Sequence, residues 1–176
     1  MNDSETSPRR GHPAHIWRGA AAGLLGGVIA AGAMSLGHKG LAGIAGLDGA
    51  KPPRAEQGDD ATVKTANLLM HRVVGRPLAE HAKPLAGHIV HYAFGGGVGA
   101  LYGAAAELVP RVTMGFGLAW GVAVWLGAHA VTVPALGLAE PPTRRPLSKE
   151  APEFVLHLLY GSVTEFLRRL LCGRSL

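Results

Sequence analysis

From Gly87 to Arg111 the chain reads GHIVHYAFGGGVGALYGAAAELVPR, long and apolar enough to cross a bilayer, yet opened by His88 and His91 and closed around Glu107. Glycine recurs at every fourth position, Gly95, Gly99 and Gly103, which on a helix makes a winding row of bare backbone. In water such a helix loses roughly 1 kcal/mol per interior Gly relative to Ala, whereas in lipid small residues are the usual contact material between helices. The stretch therefore predicts a membrane helix with a packing seam along one face. Gly19, Gly23 and Gly27 repeat the spacing in the first apolar block, and Gly117 with Gly121 supply a shorter version in the third.

The balance of residues fits this reading. With 48% hydrophobic and 16% charged residues among 176, and a mean hydropathy of +0.20, the chain is apolar for a soluble protein, and its apolar residues fall in blocks divided by polar connectors. The net charge of +5 resides in tails and connectors. No basic stripe interleaved with aromatics appears, which argues against a nucleic-acid partner and for membrane flanks. A single cysteine, Cys172, excludes an internal disulfide and by itself makes no metal site.

Taken in order, the blocks predict an all-α membrane protein with four transmembrane helices, at about residues 19–45, 85–109, 112–133 and 154–171. They form one membrane domain, 19–171, between a polar tail at 1–18 and a short tail at 172–176. The first block reads either as a retained helix or as a cleaved signal peptide, and its glycine row favours retention. In the first connector, Asp59 or Asp60 can cap an amphipathic helix over about 60–75, with Val63, Ala66, Leu69, Met70, Val73 and Val74 on one face and Lys64, His71 and Arg72 on the other. Such a helix lies either on the membrane surface or as a lid over the bundle.

The blocks also repeat. Helix one ends in Gly46, Leu47, then Pro52, Pro53 and Arg54, and helix three in Gly137, Leu138, then Pro141, Pro142 and Arg144. Helices two and four both begin His, two residues, aromatic, Gly: His91 to Gly95 and His157 to Gly161. Two helix pairs in one orientation follow, related by a pseudo-twofold axis along the membrane normal.

Connectivity alone sorts the polar residues by depth. His38, His88, His91, His129 and His157 fall on one side of the bundle, and Glu107, Arg111, Arg168 and Arg169 toward the other, with Glu165 roughly 12 Å deeper than His157. The density of Lys and Arg favours the tails inside whereas their raw count favours the long connectors; the density sets the orientation, with both termini in the cytoplasm and the histidines at the outer face. The histidine layer has three readings. It is an interfacial layer satisfied by headgroups and water, or a set of imidazoles that charge together as the medium acidifies, or, through His91 and His157, a ligand pair for haem or a divalent metal. An acid inside a span is costly, so Glu165, with Arg168 and Arg169 three and four residues on, is the foremost candidate functional residue, either in an ion pair or as a proton relay. Tyr92, Tyr102 and Tyr160 can each pack in the bundle or hydrogen-bond these groups, and spacing does not choose among them. No nucleophile elbow, phosphate loop or zinc-protease helix is present, so the chain reads as non-enzymatic and without a resident cofactor.

A set of residues in register adds a resemblance. His91, Tyr102, Ala106, Glu107, Pro110, Gly117 and Gly121 begin it, and His129, Pro134, Gly137, Leu138, Pro141, Pro142, Glu153, His157, Glu165, Arg168 and Arg169 continue it. On these the chain resembles the YagU-like family of small, uncharacterised bacterial inner-membrane proteins. The resemblance implies a multi-pass inner-membrane protein with cytoplasmic termini, and no reaction. The function expected is a pH-responsive or proton- or small-solute-handling role. Its alternatives are a small haem- or metal-binding redox protein and a structural partner of a membrane complex, with the bilayer as partner and copies of the chain able to pair through their glycine faces.

Overall fold

The computed structural model describes residues 13–46 and 59–173. Pro52, Pro53 and Arg54 of the first repeat unit lie outside them, as do residues 1–12 and 174–176 of the two tails. Every regular element among the described residues is helical: α1 (Pro13–Gly46), α2 (Ala61–Val74), α3 (Lys83–Leu108), α4 (Leu118–Val124), a π-helical segment (Trp125–Thr132), α5 (Val133–Ala135) and α6 (Leu147–Cys172). Short 3₁₀ turns stand at Glu80–Ala82, Pro110–Thr113 and Pro142–Arg144.

The glycine rows of α1 and α3 face each other, antiparallel. A Cβ on Gly23 would land on the Gly99 carbonyl oxygen, one on Gly27 on that of Gly95, and one on Gly103 on that of Gly19. Backbone therefore meets backbone, a distance that even alanine would exceed. The rows are covered within one chain. The second pair copies the arrangement at a single crossing, where Gly117 and Gly121 meet the Gly161 and His157 carbonyls of α6. Gly117 is not inside a helix as the sequence suggested. It closes a tight turn in which Gly115, Phe116 and Gly117 all have positive φ (67°, 54° and 82°), because Pro110–Thr113 coils as 3₁₀ and α4 starts only at Leu118.

Between the two pairs, α1 also lies along α6, with Gly26 beside Thr164 and Gly37 beside Leu156. The core at this junction is Ala30, Met34, Leu156 and Tyr160, ringed by Val98, Trp120, Val124 and Val163. Large apolar side chains point mostly outward, among them Leu25, Ile29, Phe94, Leu101, Leu126, Val155 and Phe166, while Thr164, Glu165 and Arg168 are buried. Two helical stretches, His15–Leu41 and Leu118–Ala135, are long and apolar enough to cross a membrane.

Two helix starts differ from the sequence reading. α1 begins at Pro13, ahead of Gly19, since proline suits a first turn and Arg18 is accommodated on an exposed face. α6 begins at Leu147, two turns before Phe154, with Pro152 inside it. So near the N-terminus, Pro152 forfeits one backbone bond without ending the helix. α2 is capped by Asp60, whose side chain accepts from the Thr62 and Val63 amides, and it ends at Gly75 in the left-handed region. Only Val63 and Ala66 of its apolar face are buried, against α3, leaving Leu69, Val73 and Val74 exposed.

Candidate functional site

α6 carries two ionic clusters on its buried side, fifteen residues and so roughly 22 Å apart along the axis. The deeper one is centred on Glu165, which is 0% exposed. Arg168 clamps it with two hydrogen bonds, Nε to Oε2 at 2.7 Å and Nη2 to Oε1 at 2.9 Å. Arg169 donates from Nε to Oε1 at 2.6 Å, and the Tyr102 hydroxyl of α3 donates to Oε2 at 2.8 Å. Arg168 reaches on to Glu107 of α3, Nη1 to Oε1 at 3.4 Å, and is itself 1% exposed. Gly19 makes room for Glu107, since a Cβ there would sit 3.1 Å from the carboxylate oxygen and closer still to Cγ. Phe116, held at positive φ by the α3–α4 turn, caps Arg169 with its ring 5.0 Å from the guanidinium carbon. Two acids and two arginines balance, and both Glu165 oxygens are doubly bonded to donors. Chemically this is a saturated clamp between α3 and α6.

The second cluster sits at the opposite end, where the sequence places the histidine layer. Here Glu150 of α6, 5% exposed, is shared. Arg145 Nη1 lies 2.8 Å from Oε1, His129 Nε2 lies 3.1 Å from Oε2, and Arg145 also stands 3.5 Å from that same His129 nitrogen. The His129 ring stacks on Trp125 at 6.1 Å and 24° and stands 5.6 Å from the ring of His157. Because a carbonyl can only accept, the 2.7 Å contact of His157 Nδ1 with Glu153 O fixes the Nδ1–H tautomer. His38 of α1 stands 3.6 Å from the Glu153 carboxylate. His129 is carried on the π-helical segment, in which Thr132 Oγ1 donates back five residues to Gly127 O at 2.6 Å. Such segments recur at functional sites.

The structure thus divides the sequence candidates. His129 and His157 come together, with His38 at their edge, whereas His91 of α3 donates from Nε2 to Ala31 O of α1 at 3.1 Å and His88 is exposed. Among the described residues, no three His, Cys, Asp or Glu side chains are gathered closely enough to hold a metal ion. Glu165, Arg168, Arg169, Glu107 and Tyr102 form one network, and Arg111 stays exposed in the turn. Sequence reasoning missed Glu150 and Arg145. Their signal was the spacing Glu150, His157, Tyr160/Gly161, Thr164/Glu165, Arg168, one continuous helical face that emerges only when α6 is read through Pro152.

A family model described as Protein of unknown function (DUF1440) matches residues 46–166, more than half of the chain. No curated protein matches the chain, and no solved structure does.

Proposed function

The chain belongs to the DUF1440 family, whose description assigns no activity, and from that premise we propose a non-enzymatic, multi-pass protein of the bacterial inner membrane that responds to pH through its His129–Glu150–Arg145 cluster. Supporting four crossings is the way α3 and α6, 26 residues each, run beside the apolar span of α1, from Gly103 to Gly95 and from Leu167 to Leu156. At 1.5 Å per residue each measures roughly 39 Å, enough for the hydrocarbon core. The inverted polarity, with Thr164, Glu165 and Arg168 inside and leucines outside, supports a lipid environment as well. Four crossings leave both termini on one face, which the charge bias assigns to the cytoplasm.

The pH reading is carried by one observation, the sharing of Glu150 between a permanent cation and a titratable one. A neutral His129 Nε2 either accepts from Arg145 or donates to Glu150; protonation commits it to Glu150 and sets a second positive charge beside Arg145 and near His157. The shared carboxylate is then divided differently, and the connector that carries Arg145 moves relative to the π segment. By contrast, the Glu165 carboxylate has every lone-pair direction engaged, which favours an anchoring role for it over proton relay.

Trp125, stacked on His129, reports the event. With Trp17 and Trp120 replaced by Phe, its emission is expected to fall as the medium is acidified. The His129→Gln variant is expected to flatten the profile. An identical profile in that variant would sink the reading.

A further inference from the structure

Beside the second cluster lies a groove of about 440 Å³ whose walls are Trp125, Phe154, Leu147, Pro142 and Ala151. The rings of Trp125 and Phe154 meet edge to face at 5.2 Å. Thr143, Arg145 and Glu150 supply its polar lining. Glu150 is paired from within by Arg145, so the acid adds little net field of its own. Next to the groove in the chain stand Arg144 and Lys149, both exposed, with exposed Glu140 the acid on this connector. Leu147 of this lining is exposed, as is Val155, the residue after Phe154 in α6. An apolar groove whose lining residues have two exposed cations as chain neighbours matches an amphiphile with an alkyl tail and an anionic head.

We propose that this groove binds one anionic phospholipid. An acyl chain lies between Trp125 and Phe154, and the phosphate is held by Arg144 and Lys149 with the Thr143 hydroxyl. This rests on the membrane reading above. The lipid would sit against the wall of the His129 cluster, so its occupancy and the state of Arg145 are coupled.

The test uses the full chain with Trp125 as its single tryptophan, reconstituted in phosphatidylcholine vesicles containing increasing fractions of phosphatidylglycerol brominated on its acyl chains. Trp125 is expected to be quenched at a lower mole fraction by brominated phosphatidylglycerol than by brominated phosphatidylcholine, by about fivefold for each cation engaged. Arg144→Ala and Lys149→Ala together should erase that preference while leaving the helical content and the phosphatidylcholine quenching unchanged. Ala151→Phe, which fills the groove, should weaken quenching by both lipids. Equal quenching by the two headgroups, or a preference that survives Arg144→Ala/Lys149→Ala, overturns the site and leaves only a general lipid annulus. Absence of quenching by either lipid, at Trp125 and, in a chain that keeps Trp17 alone, at Trp17, instead overturns the membrane reading on which the site rests.

Discussion

The two ends of α6 use the same residue types to opposite effect. At Glu165 every donor is fixed, two arginines and a tyrosine serve one carboxylate, and the side chain is 0% exposed. At Glu150 one guanidinium and one imidazole compete for a carboxylate, with Arg145 and His129 26% and 19% exposed in their side chains. A buried pair whose partners are both permanent ions has one protonation state and one geometry. Substituting a histidine for one partner, and leaving a path to solvent, gives the pair a partner that can gain or lose a proton.

Breaking the first end should give the largest effect. Glu165→Gln leaves buried Arg168 with only its 3.4 Å contact to Glu107 as an acidic partner and should cost about 3–5 kcal/mol, read as loss of helicity on denaturation in mild detergent. Glu165→Leu with Arg168→Leu should cost less than the single change, because the uncompensated charge goes with it. A loss under about 1 kcal/mol for Glu165→Gln would mean that the clamp is not the structural end.

Next in size is the seam that holds α3 where Tyr102 and Glu107 can reach α6. Gly99→Ala pushes a Cβ against Gly23 O and Gly27 Cα and should cost about 2–3 kcal/mol. Gly97→Ala, on the open face where nothing lies within 4 Å, should stay within about 0.5 kcal/mol of the parent by the same denaturation assay. If the two alanines behave alike, close backbone approach is not what sets the α1–α3 spacing.

Glu150→Gln should cost about 1–2 kcal/mol, less than its counterpart, and should remove the Trp125 pH profile while Glu165→Gln, where it folds, keeps it. A retained profile would break the distinction between the two ends.

Smallest is the cap at Asp60, a carboxylate held chiefly by hydrogen bonds. Partial desolvation opposes its ionisation, but the Thr62 hydroxyl and the Val63 and Thr62 amides outweigh that and keep its carboxyl below the usual range. With the folded value depressed, its contribution is complete above the unfolded pKa of about 3.9 and is lost as pH falls through the lower folded value. Asp60→Ala should cost about 1 kcal/mol at neutral pH. The difference from the parent, read as amide exchange at Thr62 and Val63, should vanish toward that acid limit.

Much of this frame could be read from residue spacing, because glycine at every fourth position carries a direct geometric meaning: Gly19, Gly23 and Gly27 needed a facing row, and Gly95, Gly99 and Gly103 supplied it. Depth, too, follows from connectivity, which is why His129 and His157 were placed in one layer. Partner choice was less legible. That Tyr102 rather than Tyr160 meets Glu165 depends on the offset between α3 and α6, and Tyr160 instead donates to Gly95 O at 2.6 Å. Glu150 was hidden by Pro152, a residue that ends helices from within but is tolerated close to their starts. Nothing in the apolar run from Leu118 to Val133 announced a π segment, since i→i+5 bonding leaves no mark in hydropathy.

That segment has a consequence in the arithmetic of the gene. Winding less per residue than an α-helix, it keeps Gly117, Gly121, Trp125 and His129, each four apart, on the side that faces α6. A π turn is the footprint of one residue more than the α register needs. Removing that residue, by deleting Ala128 for instance, would relax the segment to ordinary α winding while the residues after it keep their register toward α6, shifting His129 against Trp125 without altering a single side chain of the cluster. The length of this helix is thus as much a part of the site as the histidine it carries.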